Sequence, residues 1–116
     1  MLKPGPAKKV TVYVDEDVHR HREPLYVAVL NYLFKCGVAG ATVTKGMAGF
    51  GPSHHIHTTR LLEMSGNLPV KIEFVEQPPK LDEILPELVS LVSEGLIEMQ
   101  DTTVVAASGA DAKRGA

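Results

Sequence analysis

Apolar residues along this chain switch between a period of two and a period near 3.6, and the switches mark out its elements. In "KKVTVYVD", Val10, Val12 and Val14 alternate with Thr11 and Tyr13, the pattern of a strand with one buried face. "EPLYVAVLNYLFKCG" then sets Tyr26, Val29, Leu30, Leu33 and Phe34 at helical spacing. It opens on Pro24 and closes on Gly37 after Lys35, which predicts a helix. "ATVTKGM" and "LPVKIEFVEQ" return to period two, the second burying Val70, Ile72 and Phe74 while Lys71 and Glu73 point away. "KLDEILPELVSLVSEG" carries a stripe of Leu81, Ile84, Leu85, Leu88, Leu91 and Val92 with Gly95 as its stop. Pro86, lacking a backbone donor, predicts a kink or an irregular first turn. "LIEMQDTTVVAA" supplies a last, weakly alternating strand.

The order β-α-β-β-α-β is that of a ferredoxin-like α+β domain, with two helices on one face of a four-stranded antiparallel sheet. The domain is expected over 8–106, with 1–7 and 107–116 as flexible tails rich in proline, glycine and small polar residues. On the uncovered face Thr11, Tyr13, Lys71, Glu73 and Val75 are mixed rather than uniformly polar, which predicts a partner subunit over much of it.

Composition narrows the function. The chain has 116 residues and a formal charge of −2, and aromatics make up 5%, so there is no basic field of the kind that nucleic acids require. No apolar run is long enough to span a membrane and the N-terminus lacks a signal-peptide core, so a cytoplasmic location is expected. The single cysteine, Cys36, fits that compartment and reads as a small buried hydrophobe.

The chemistry gathers in the middle of the chain. Gly37, Gly40, Gly46, Gly49 and Gly51 crowd into one stretch, where backbone amides can approach a phosphate or nucleobase unobstructed. The pattern is neither a GxxxxGK[ST] phosphate loop nor a GxGxxG fingerprint. From Gly49 to Asn67 about nineteen residues join the two middle strands, far more than a simple hairpin needs, which marks a loop with a function. His54, His55 and His57 fall in that loop, and His19 and His21 form a second pair after the first strand. Histidine density keeps zinc or copper open as an alternative ligand, on His54, His55 and His57. No preorganised nucleophile and base are visible, so no enzyme activity is expected.

Six ordered motifs carry a family resemblance: "LYVAVL" at Leu25–Leu30, "GVAGATV" at Gly37–Val43, "GFG" at Gly49–Gly51, "IHT" at Ile56–Thr58, Leu68-Pro69, and "EGLI" at Glu94–Ile97. Together they resemble the PII-like family called domain of unknown function 190, related to the nitrogen-regulatory PII signalling proteins. The resemblance implies a ferredoxin-like homotrimer that binds an adenine nucleotide in its intersubunit clefts and reports it through the 49–67 loop, which corresponds to the PII T-loop. By motif it implies nucleotide contacts at Gly40, Ala41, Thr42, Gly49, Phe50, Gly51, His57 and Gly95. Lys45 and Gly46 join them on a stretch one residue longer than the PII spacing. It also implies a membrane channel or transporter as a candidate partner.

Departures from the PII pattern matter as well. Where PII proteins have a lysine-bearing glycine turn for the triphosphate, this chain has "SEGLIE", and between Arg60 and Arg114 there is no arginine. A tetra-anionic ATP would be poorly paired there, which favours AMP or a cyclic adenine nucleotide. No tyrosine follows Tyr32, so tyrosine uridylylation cannot operate in the loop. The rival reading is a trimeric divalent-metal-binding protein similar to the cation-tolerance family.

Overall fold

The computed structural model describes residues 2–50, 57–58 and 68–109. Its elements run β1 (Gly5–Asp15), β2 (His19–Arg20), β3 (Glu23–Pro24), α1 (Leu25–Cys36), β4 (Ala41–Lys45), β5 (Ala48–Gly49), β6 (His57–Thr58), β7 (Pro69–Glu76), α2 (Pro78–Leu91) and β8 (Leu96–Val104). The main sheet has the order β4-β7-β1-β8 and is antiparallel at every pairing. This is the expected ferredoxin-like α+β arrangement.

The core is built by period. Val10, Val12 and Val14 of β1 lie opposite Phe74, Ile72 and Val70 of β7. Onto this patch α1 lowers Leu25, Val29 and Leu33 and α2 lowers Leu81, Ile84 and Leu88, all essentially buried. Each such side chain contributes about 1.5–3 kcal/mol of burial free energy. Gly37 ends α1 in the left-handed conformation, φ 76°, with its N–H turned back to the last turn of the helix. Between the helices, the Tyr32 hydroxyl donates to the Ile84 carbonyl at 2.9 Å. Burial and the nearby Cys36 push the Tyr32 phenol up to about 12.

Several expectations need correction. Phe34, read as a core residue, is 84% exposed, because the α1 stripe is set by Leu25, Val29 and Leu33 and Phe34 lies off it. Cys36 is half-buried rather than buried. β1 starts at Gly5, inside the segment expected to be a loose tail, because Gly5–Ala7 pair with Thr102–Val104. Pro6 fits there because β7 pairs with β1 only from Lys8 onward, so the other edge of β1 needs no donor. Pro86 sits within a continuous α2 on its exposed side, where water can take the freed carbonyl. α2 ends at Leu91 with Val92 as its cap, so Gly95 is not its stop.

The sequence pattern gave no sign of the hairpin β2–β3. His21 and Arg22 form its turn with φ of 52° and 68°, left-handed values that hairpin turns of this kind normally assign to asparagine and glycine. The Leu25 N–H donates to the Val18 carbonyl at 2.8 Å and closes its base.

On the open face, Lys9 reaches Glu73 at 3.1 Å and Lys71 reaches it at 3.8 Å. The Lys9 ammonium, with Lys71, holds the Glu73 carboxyl below its usual range despite partial burial. Thr11 is buried between its neighbours on that face.

Two of these features can be tested directly. Arg22→Gly relieves a left-handed backbone that costs a non-glycine residue about 1–2 kcal/mol, offset in part by unfolded-chain entropy. The net expectation is a gain of up to about 1 kcal/mol in urea unfolding. In alkaline titration followed by tyrosinate absorbance, one phenol is expected at about 12 and is lost in Tyr32→Phe. Because the folded state holds that proton more tightly, the tyrosine's contribution to stability is full below pH 10 and falls as pH rises toward 12.

Candidate ligand-binding site

The site grows from the end of the sheet where β1 stops and β7 begins. Glu16 follows β1 directly, and its N–H donates to the Leu68 carbonyl at 2.8 Å. Its carboxylate takes the Lys45 ammonium at 2.9 Å through one oxygen and the Leu68 N–H at 3.4 Å through the other. Glu16 thus ties the last residue of β4 to the residue before β7, on either side of the 49–67 segment expected to be the functional loop. One residue on, the Gly46 N–H donates to the Pro69 carbonyl at 2.8 Å. The chain then forms β5, which pairs with β6 as Ala48↔Thr58 and Gly49↔His57. A short two-stranded stem therefore lies within the segment, pairing its start with residues 57–58.

Beside this stem lies a cleft of about 270 Å³. Phe50, 62% exposed next to the stem, lines it together with Glu94, Gly95 and Leu96. Tyr13, Val14, Asp15, Val18 and Pro69 also line it. The turn at Gly95 depends on that residue: with φ 154° it passes so close to β1 that a Cβ would collide with the Tyr13 carbonyl oxygen and come within 3.0 Å of Val14.

The charged side chains on the described lining of this cleft are of one sign. Among the described residues Asp15, Glu94 and Glu98 line it, and no lysine or arginine does. The Tyr13 hydroxyl donates to Glu98 at 2.9 Å, and this carboxylate contact raises the Tyr13 phenol above its ordinary range. Apolar surface from Phe50, Pro69 and Leu96, with acidic groups around it, suits a flat heterocycle or a sugar hydroxyl far better than a bare phosphate.

The expected site residues divide between two places. Phe50 and Gly95 line the first cleft, and Gly46 and Gly49 belong to the stem beside it. Gly40 and Thr42 line a second, more open cleft of about 440 Å³ with Lys9, Glu73 and Val75. β4 separates the two groups by four residue steps, about 13 Å. Ala41 packs on the core and Lys45 is engaged by Glu16. His57 has its backbone in β6 opposite Gly49. Gly51, His54 and His55 lie outside the described residues. Among the described residues no cluster of three or more histidine, cysteine or carboxylate side chains could hold a metal. Asp15, Val18 and Glu98 were missed from sequence. The β1–β8 register, which sets Tyr13 against Leu96 and Thr11 against Glu98, is the signal that finds the last of them.

The DUF190 family profile, described as "Uncharacterized ACR", matches residues 7–104. The chain belongs to the DUF190 family. A UPF0166 protein of Aquifex aeolicus is 29% identical over 98 residues, covering 84% of this chain and 92% of its own length. Among solved structures, CPII from Thiomonas intermedia K12 bound to ADP and bicarbonate superposes with a TM-score of 0.66 at 19% identity, covering 91% of this chain and 95% of CPII. Another CPII structure, described as a nitrogen regulatory PII-like protein, has ADP, AMP and bicarbonate bound. A putative PII-like signalling protein from Thermus thermophilus gives a TM-score of 0.63 at 16% identity, over 90% of this chain and 94% of that one. This DUF190 chain shares the PII-like fold with these proteins. Among its described residues no helix is long and apolar enough to cross a membrane.

The two candidate glycines make contrasting predictions. Gly95→Ala is expected to lower stability by more than about 1 kcal/mol, because backbone must move to admit the methyl group. Gly40→Ala, with nothing within 4 Å of the added carbon, is expected to change stability by less than about 0.5 kcal/mol. Chemical denaturation of both variants measures the difference.

Proposed function

We propose that this chain is a cytoplasmic PII-like regulator that binds a small adenine nucleotide at the base of the 49–67 loop and reports it to a protein partner. The observation that carries this reading is the cleft in which the loop stem, through Phe50, faces the Gly95 turn. A purine stacked on Phe50 would touch the stem directly, so occupancy would bias the conformations open to the loop. The loop can shift by no more than the ligand's differential affinity for its conformations. CPII, which shares the fold, binds ADP, AMP and bicarbonate, and supports a nucleotide as the effector.

The dimensions favour an assembly. At about 270 Å³ the cleft falls just short of the roughly 300 Å³ at which pockets for drug-sized ligands begin, so a nucleotide needs a further wall. Gly40 and Thr42 stand one strand length away on the same sheet. A closed ring in which one subunit's Gly40–Thr42 edge meets its neighbour's loop stem would bring them to one ligand, and a homotrimer is the ring we propose. Such packing would also cover the half-buried open face.

The acidic lining extends the argument against ATP. Asp15, Glu94 and Glu98 would repel a polyphosphate within the cleft, which favours AMP or a cyclic adenine nucleotide. Tyr13 and Glu98 engage each other, which supports a binding role over a catalytic one. A membrane channel or transporter is the partner class we carry forward from the family resemblance.

Calorimetric titration of metal-stripped protein with AMP, cyclic AMP, ADP and ATP tests the ligand, and sedimentation velocity tests the ring. Saturable binding of the mononucleotides, weakening as phosphates are added and reduced at least tenfold in Phe50→Ala, is expected from a trimer. A monomer at micromolar concentration, or silence across the four nucleotides, would remove this function.

A further inference from the structure

The described lining of the cleft lacks cations, yet a cationic segment follows one of its residues in the chain. Val18 lines the cleft, and its carbonyl closes the base of the β2–β3 hairpin by accepting the Leu25 N–H at 2.8 Å. Beyond it come His19, Arg20, His21 and Arg22, all exposed. Arg20 is two residues from Val18, about 7 Å along an extended chain, a distance comparable to the length of its own side chain.

The hairpin is kept cationic by its own contacts. Lys8, Lys9, Lys45 and Lys71 each have a carboxylate partner. Among the described residues Arg20 and Arg22 have none. Glu23, the cross-strand neighbour of Arg20, is drawn instead to α1, where it accepts from Asn31 at 3.1 Å. The His19 ring bonds the Asp17 carbonyl at 2.7 Å, so its Nδ1–H is committed locally. Two arginines are left open to solvent. Arg22 is also held at φ 68°, a conformation disfavoured for any residue with a Cβ, so a charged side chain is displayed there at a cost to the fold.

We propose that Arg20 and Arg22 bind the phosphate of the nucleotide whose base and ribose occupy the neighbouring cleft. The inference rests on the nucleotide-binding function proposed above and assigns the phosphate to residues outside the glycine motifs. An arginine fork pairs two phosphate oxygens at once, and on a short hairpin two such forks can converge. The division of labour follows from charge: carboxylates line the cleft, and the two arginines follow its lining residue Val18 by two and four positions.

The test compares adenosine and AMP binding to full-length protein by calorimetry, in wild type, in Arg20→Ala/Arg22→Ala, and in Lys35→Ala/Lys80→Ala. The last is a charge-matched control at the far ends of the helices from the hairpin. The hairpin double variant is expected to weaken AMP by about 10- to 100-fold, the worth of charged hydrogen bonds, and to leave adenosine unchanged. Arg22→Gly is expected to weaken AMP while melting no lower than wild type, which separates a lost contact from a damaged fold. Unchanged AMP affinity in the double variant, or an equal loss in the lysine control, overturns the assignment and leaves the nucleotide function standing. No AMP or adenosine binding by the wild type overturns both.

Discussion

The antiparallel register between β1 and β7 is the constraint from which the rest of this fold follows. It sets Val10, Val12 and Val14 against Phe74, Ile72 and Val70, which makes the apolar patch that both helices require. A slip of one residue would turn the three apolar side chains of one strand outward and bring either Thr11 and Tyr13 or Lys71 and Glu73 beneath the helices. The same register sets Asp15 against Pro69 at the end of the ladder, and there the candidate site begins. Core and cleft are therefore specified by one pairing, read on its two faces and at its end.

Glu16 carries that pairing into the loop. Its backbone and carboxylate together hold Leu68 and Lys45, so the loop departs and returns at a fixed spacing whatever happens beyond it. Gly95 performs a related task from the other side by letting the turn before β8 lie against the Tyr13 carbonyl. Both contacts draw backbone toward the end of β1, and the cleft is what remains between them. Its acidity follows, since Asp15 ends β1, Glu94 precedes the turn and Glu98 faces outward on β8.

Much of this was legible in the chain. Alternation located β1 and β7, helical spacing located α1 and α2, and the motif order pointed to the family and to Phe50 and Gly95. The misreadings have physical reasons. Phe34 sits one residue beyond Leu33, and periodicity with several apolar neighbours does not say where the stripe ends. The β2–β3 hairpin was hidden because His21 and Arg22 occupy a turn whose usual signal is Asn-Gly. Gly95 was read both as a helix stop and, by motif, as a nucleotide contact, but nothing local shows that its neighbour is a carbonyl from a distant strand. Val18 and Asp15 became site residues only through tertiary contact.

The stem formed by β5 and β6 has only two pairs of residues, and a two-stranded ladder of that length is marginal in water. A latch so weak can be set from either end. On the function proposed above, a partner that held 57–58 against 48–49 would favour the same ladder as a ligand beside Phe50, and thermodynamic linkage would make the two effects reciprocal. Effector affinity would then belong to the complex as much as to the free protein. A partner that prefers the occupied form must tighten effector binding by the same factor, so a weak effector measured on the isolated chain can be a strong one in its complex.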